Sequence, residues 1–264
     1  MLKGEADQSL FTVKTSNIDD VDPKEAIFPI LKHEENGDVK FIGTGFFVTT
    51  LGFFISARHV FKDILDDKGN VKGSLSIIQF CDNFKFYFRP VIGFVLHDVA
   101  DVAIGVCVPM KHKVTGEPLF NKVLTLSMSL PNVGENVWTY AYPGTTVTQS
   151  EKIEIKYNAK FYAGIIKEYH PNGRDKVILP FPCFRTSIVL HGGSSGGPVF
   201  GENRKVIGIN STGFDSDTGI LDISYISRIH DALDLKIQNV VMQNESEPSN
   251  LSLRDLIKIN HVAI

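Results

Sequence analysis

The segment HGGSSGGPVF, residues 191–200, sets two serines between two pairs of glycines. Glycine lets a backbone adopt left-handed conformations and lets another molecule approach closely. A serine hydroxyl is a weak nucleophile at neutral pH. It needs a base within hydrogen-bond reach, and the base needs a carboxylate to fix its tautomer and stabilise its protonated form. Two other segments supply those residue types. GTGFFVTTLGFFISARHVF, 43–61, ends an apolar run at His59, and HDVADVAIGVC, 97–107, opens another at Asp101. A His, an Asp and a glycine-flanked Ser, each at the edge of a β-like segment, are the parts needed for acyl transfer.

Residues this far apart along a chain meet only if a scaffold of strands returns them to one place. From Ala26 onward the pattern is strand after short strand: AIFPILKH, DVKFIGTGFFVTT, GFFISA, SLSIIQF, KFYFR and DVAIGVCV. After a less regular stretch, 109–132, come ENVWTYAY, EKIEIKY, KFYAGIIKEY, KVILPF, KVIGINST and GILDISYI. Phe, Val and Ile are dense in these runs, and turn signals such as ENGD and DKGN separate them. Helices have room only at VFKDILDD, at SRIHDALDLKIQ (227–238) and at LSLRDLIKI (251–259). In the last, Leu251, Leu253, Leu256 and Ile257 make one apolar stripe.

Many short strands with few helices predict an all-β architecture. Two such series predict two antiparallel Greek-key β-barrels with the active-site cleft between them, plus a C-terminal helix. Residues 1–25 read as a polar N-terminal extension and 26–120 as the first barrel. Residues 121–240 read as the second barrel with its helix, and 241–264 as a linker and short terminal helix.

GTGFFVTTLGFFISARHV, ADVAI and GSSGGP resemble the three signature segments of chymotrypsin-fold serine proteases, in that family's His, Asp, Ser order. VGENVWTYAYPGT, AGIIKEYHPNGR, KVIGINST and SYISRIHDAL are similar to segments of the HtrA-like (Deg-type) trypsin-like peptidases. The likeness runs from about Phe41 to Leu235. It implies that His59 is the general base, Asp101 its orienting carboxylate and Ser195 the nucleophile. The N–H groups of Gly193 and Ser195 would form the oxyanion hole, and Ser211 would support the buried aspartate. Ser211, Thr212 and Gly213 would form the wall that pairs with substrate backbone, with Val189 and Ser224 in the specificity pocket. An aspartate stands at the Val189 position in relatives that cut after Lys or Arg. An uncharged pocket therefore implies cleavage after small or medium neutral residues.

Three features depart from the family pattern. Ser194 replaces the aspartate that pairs with a newly cut N-terminus in zymogen-type relatives, so release of the N-terminus is not expected to switch the enzyme on. Arg58 stands where a small residue usually precedes the His, and either sets a cation beside the base or points to solvent. Too few residues follow Leu235 to hold the PDZ domain of many Deg-type proteases. Residues 1–25 and the last 20 are the segments expected to dock an activating partner, gate the cleft or hold a homo-oligomer.

The chain has 264 residues, 43% of them apolar and 22% charged, with a net charge of −3. That balance suits a soluble globular domain and carries no nucleic-acid footprint; the resemblance implies a protein or peptide substrate. Cys81, Cys107 and Cys183 are odd in number and set among apolar residues. They read as core fillers, which favours a reducing, cytoplasmic setting. The first twenty residues hold no apolar stretch of signal length, and His97, Asp98 and Asp101 interrupt the most apolar window, so no membrane span is expected. The histidines show no metal-ligand spacing, and no cofactor fingerprint is present. Residues 193–197 also fit the G-x-S-x-G elbow of α/β-hydrolases. That fold needs a helix directly after the serine, whereas PVFGENRKVIGINS reads strand, turn, strand. The other alternative is a latent or inactive protease fold serving as a binding module.

Overall fold

The computed structural model describes residues 12–14, 20–62, 64–81, 85–112, 114–149, 153–214, 223–240 and 249–258. Six strands come from the first series: β1 Ile27–His33, β2 Val39–Phe47, β3 Phe53–Ser56, β4 Ser74–Cys81, β5 Lys85–Leu96 and β6 Ala103–Cys107. They pair antiparallel and close a barrel in the order β1-β2-β3-β6-β5-β4. The second series repeats the arrangement with β7 Asn136–Ala141, β8 Lys160–His170, β9 Cys183–Thr186, β10 Pro198–Phe200, β11 Val206–Phe214 and β12 Ile223–Arg228. Their order is β7-β8-β9-β12-β11-β10. In both barrels the first three strands are neighbours, and the first strand closes onto the fourth. The expected all-β, two-barrel fold is the one observed.

Each barrel has its own interior. Phe28, Phe47, Phe54, Phe61 and Ile77 fill the first, and Val137, Ile166, Phe184, Ile207 and Ile226 fill the second. A third cluster crosses the seam, joining Phe46, Ile55 and Ile104 to Tyr142, Phe200 and Ile209, with Leu124 and Leu126 from the connecting segment. Burying one such side chain contributes roughly 1.5–3 kcal/mol, so the shared cluster holds the barrels in one register. Val13 and Val21, from the stretch read as a polar extension, are also buried in it.

Local structure departs from expectation in three places. KVILPF is not a strand. The Asp175 Oδ1 accepts from the N–H groups of Val177, Ile178 and Leu179 at 2.8, 2.7 and 3.4 Å, so their backbone bonds locally rather than in a ladder. The strand instead starts after Pro182, at Cys183. SRIHDALDLKIQ gives only a 3₁₀ turn, Ile229–Ala232, before an extended segment, Lys236–Val240. That segment pairs with Ser249–Ser252, so Leu251 lies in a strand. The terminal helix is shorter than anticipated: α2, Leu253–Lys258, starts where Ser252 and Asp255 bond each other's backbone N–H at 3.1 and 3.2 Å. Leu253 and Leu256 are fully buried, and Leu251 and Ile257 pack beside them. Most of the expected linker, 241–248, lies outside the described residues.

Cys107 and Cys183 are buried free thiols, and burial pushes each up to about 11. They are core fillers with no thiolate chemistry at neutral pH. Among the described residues no helix is long and apolar enough to cross a membrane, and no His, Cys, Asp and Glu cluster has metal-binding geometry.

Candidate active site

His59 sits where β3 runs into α1, Arg58–Lys62, a helical turn anchored by buried Val60 and Phe61. Asp101 lies in the turn from β5 to β6, fixed by buried Ala100 and Val102. His97 shapes that turn, its Nδ1 accepting from the N–H groups of Val99 and Ala100 at 3.1 and 2.8 Å. Ser195 and Ser211 come from the second barrel, Ser195 just before β10 and Ser211 within β11.

The four side chains meet at the seam. His59 Nδ1 lies 3.0 and 2.8 Å from the two Asp101 carboxylate oxygens. The His59 backbone N–H donates to Asp101 Oδ1 at 2.9 Å, and Ser211 Oγ donates to Oδ2 at 2.6 Å. Burial alone would raise the Asp101 pKa. The hydrogen bonds and charge of His59, with the Ser211 hydroxyl, outweigh it and hold the carboxyl below its ordinary range. Asp101 is therefore ionised at neutral pH. It holds the proton on Nδ1, which leaves Nε2 as the basic nitrogen. Ser195 Oγ donates to the Ser211 carbonyl at 3.3 Å, a long contact that is easily exchanged.

Backbone bonds set the loop around Ser195. The Gly192 carbonyl accepts from Gly144 N–H at 3.2 Å, and the Ser194 carbonyl accepts from Gly197 N–H at 3.0 Å and Asn210 Nδ2 at 3.2 Å. A trans peptide points its N–H away from its carbonyl. These anchors therefore turn the N–H groups of Gly193 and Ser195 the other way, and among the described residues neither donates to a protein acceptor. Gly193 has φ 94°, and a Cβ there would lie 2.4 Å from the Phe41 ring. Gly196 has φ 86°, and its Cβ would lie 2.1 Å from Ser56 Oγ and 2.2 Å from the Thr44 carbonyl. Neither position admits another residue without moving the loop.

Thr44 joins the barrels beneath this loop. Its N–H donates to the Ser195 carbonyl at 2.9 Å, its Oγ1 donates to the Gly193 carbonyl at 2.9 Å, and Tyr142 N–H donates to Oγ1 at 3.2 Å. Thr44 and Asn210 were not singled out from sequence. The available signal was the Gly-Thr-Gly of β2, where small residues flank a single polar side chain that needs a buried partner.

The sequence matches the trypsin-like peptidase domain family over residues 43–209, a span holding His59, Asp101 and Ser195. The chain belongs to this family. Among solved structures it is similar to the Rv3671c protease of M. tuberculosis in its active form, at 16% identity over 79% of this chain and 78% of that one, with a TM-score of 0.53. It is similar to Deg5 at 17% identity over 78% and 85% of the two chains, TM-score 0.55. It is also similar to the HtrA-type protease AlgW with a tripeptide, at 15% identity and TM-score 0.55, covering 80% of this chain and 58% of that one. At these identities the likeness is one of fold. No curated protein matches the sequence.

The remaining predicted positions of this trypsin-like peptidase domain lie on β11, β12 and the segment before Ser195. Gly213 pairs with Ser224 across β11 and β12, and Ser224 Oγ accepts from Leu190 N–H at 3.1 Å. Val189 is half-buried next to Leu190, and Thr212 follows Ser211 on β11. His191 is exposed, its ring 5.9 Å from that of Tyr162. Arg58 is half-buried and makes no ion pair with a described carboxylate. Ser194 is 1% exposed, and no described protein group bonds its hydroxyl. Ser194→Ala is expected to keep kcat/KM within about threefold. Ser194→Asp would bury a charge with no described cation bonded to it, lowering stability by roughly 3–5 kcal/mol in urea titrations.

Proposed function

We propose that the chain is a serine endopeptidase in which His59, Asp101 and Ser195 form the catalytic triad. The observation that carries this reading is the hydrogen-bond chain from Ser211 through Asp101 to His59 Nδ1, with Ser195 beside the Ser211 carbonyl. His59 Nε2 takes the Ser195 proton as Oγ bonds to the scissile carbonyl carbon. The carbonyl oxygen becomes an oxyanion bound by the N–H groups of Gly193 and Ser195, a role supported by the anchoring of the carbonyls on the other side of the same peptides to Gly144, Gly197 and Asn210. Collapse breaks the C–N bond, and the imidazolium gives its proton to the leaving amine. Water, deprotonated by His59, then attacks the acyl ester and regenerates Ser195.

Val189, Gly213 and Ser224 line the acyl-side pocket with no charge. The preferred residue before the scissile bond is therefore small or medium and neutral. Peptide anilides ending in Ala or Val are expected to be cut at least tenfold faster than their Arg counterpart. A preference for Arg would contradict this pocket assignment. Hydrolysis of either should stop after treatment with a sulfonyl fluoride. Activity that survives the reagent would contradict a serine mechanism.

A further inference from the structure

Asn210 lies on β11, one residue before Ser211, and is fully buried. Its backbone N–H donates to the Gly197 carbonyl at 2.9 Å, and its carbonyl accepts from Gly196 N–H at 2.8 Å. Any residue but proline would make those two bonds. The side chain adds two more: Nδ2 donates to the Ser194 carbonyl at 3.2 Å and to Thr139 Oγ1, on β7, at 2.7 Å. Thr139 donates its own proton to the Pro198 carbonyl at 2.7 Å, so both neighbours of Nδ2 are acceptors and the amide has one orientation. The opposite atom, Oδ1, is buried with no described hydrogen-bond partner. An unmet buried acceptor costs stability, and asparagine is depleted from strands. A leucine of similar shape would carry neither penalty. Asparagine is thus a poor choice at this position for the fold alone.

Its effect falls on the nucleophile loop. The Ser194 carbonyl and the Ser195 N–H belong to one trans peptide and point in opposite directions. Holding the carbonyl therefore aims the N–H. Two donors hold it, Gly197 N–H at 3.0 Å and Asn210 Nδ2 at 3.2 Å. The first belongs to the loop and travels with it. The second belongs to β11 and is tied through Thr139 to β7, so it fixes the peptide relative to the barrel. Gly193 and Gly196, on either side of the two serines, have φ 94° and 86°. Glycine backbones turn easily, so the peptide between them needs an outside tie to stay in one orientation.

We propose that Asn210 is a positioning residue of the active site, whose side-chain amide holds the Ser194–Ser195 peptide so that the Ser195 N–H is aimed at the oxyanion before substrate arrives. This rests on the peptidase reading. Asn210 acts through the peptide it holds rather than on the substrate. A donor fixed in advance needs no reorganisation as negative charge develops. Freeing the peptide removes that benefit in the transition state and leaves ground-state binding alone, so the loss falls on kcat and not on KM.

The test measures kcat and KM on a peptide anilide ending in Ala, with Ser195 sites counted by fluorophosphonate titration to its end point. Asn210→Leu removes the amide but keeps the backbone bonds, and the Ser194 carbonyl retains Gly197 N–H. Losing an oxyanion donor outright costs about 10²- to 10³-fold in kcat. Loosening one is expected to lower kcat per titrated site at least about tenfold, with KM within about threefold. Thr139→Val withdraws the acceptor that orients the amide and should lower kcat per site at least about threefold. Thr139→Ser keeps the hydroxyl and should stay within about twofold of the parent. A residue serving the fold alone would lower the melting temperature and the number of titrated sites, and leave kcat per site unchanged. That result overturns the proposal, as does a smaller fall in kcat, a loss carried by KM, or equal rates for Thr139→Val and Thr139→Ser. Should Asn210→Leu not fold, the Thr139 pair decides. A parent that neither takes the label nor cuts removes the peptidase reading, and this inference with it.

Discussion

Ser195→Ala is expected to lower kcat/KM by roughly 10⁴- to 10⁶-fold with a melting temperature within a degree or two of the parent. Among the described residues the side chain makes one long hydrogen bond, 3.3 Å to the Ser211 carbonyl, so its removal costs the fold little. The loop is held by its backbone, through Thr44 N–H on the Ser195 carbonyl at 2.9 Å and Gly196 N–H on the Asn210 carbonyl at 2.8 Å. The proposed oxyanion donors, the Gly193 and Ser195 N–H groups, are untouched by the substitution, so residual catalysis should come from oxyanion stabilisation and substrate positioning alone. Steady-state kinetics beside thermal denaturation separates the two effects. An equal loss of stability and activity would mean that Ser195 is a structural residue.

Asp101→Asn is expected to lower kcat/KM by roughly 10⁴-fold. Three donors converge on the Asp101 carboxylate: the His59 backbone N–H, His59 Nδ1 and Ser211 Oγ. A carboxylate accepts from all three. An amide has one acceptor and sets an NH₂ against the other donors. The relief available is to move the imidazole proton to Nε2, and that removes the base from Ser195. The same substitution changes the response to acid. The Asp101 carboxyl is held below its ordinary range in the folded chain, so it binds a proton less readily folded than unfolded. Its contribution to stability is present above the ordinary carboxylate pKa and is lost as pH falls through the folded value. Urea titrations should therefore show the stability of the parent relative to Asp101→Asn falling as pH drops below roughly 4.

The candidate site was legible because His59 and Asp101 each stand at the edge of an apolar run and Ser195 lies in a glycine-rich loop just before β10. The barrels were legible because alternating Phe, Val and Ile must face a core. Where the chain instead satisfies its backbone locally, the pattern misleads. KVILPF is apolar enough for a strand, but Asp175 captures its N–H groups, Pro180 lies within it and Pro182 follows it. SRIHDALDLKIQ has a helical look, but Lys236–Val240 finds a strand partner in Ser249–Ser252, a long-range pairing that periodicity cannot reveal. Thr44 and Asn210 were hidden for the same reason, since the partners of each are brought to it only when the chain has folded.

The central claim is that Ser195, activated by His59, is a nucleophile. Its most direct test is labelling with a fluorophosphonate, with the modified peptide identified by mass spectrometry in the parent, Ser195→Ala, Ser194→Ala and His59→Ala. An adduct on Ser195 is expected in the parent and in Ser194→Ala, and absent from Ser195→Ala and His59→Ala. A folded parent that takes no adduct, or takes it on Ser194, would contradict the triad and leave a protease fold that binds without cutting.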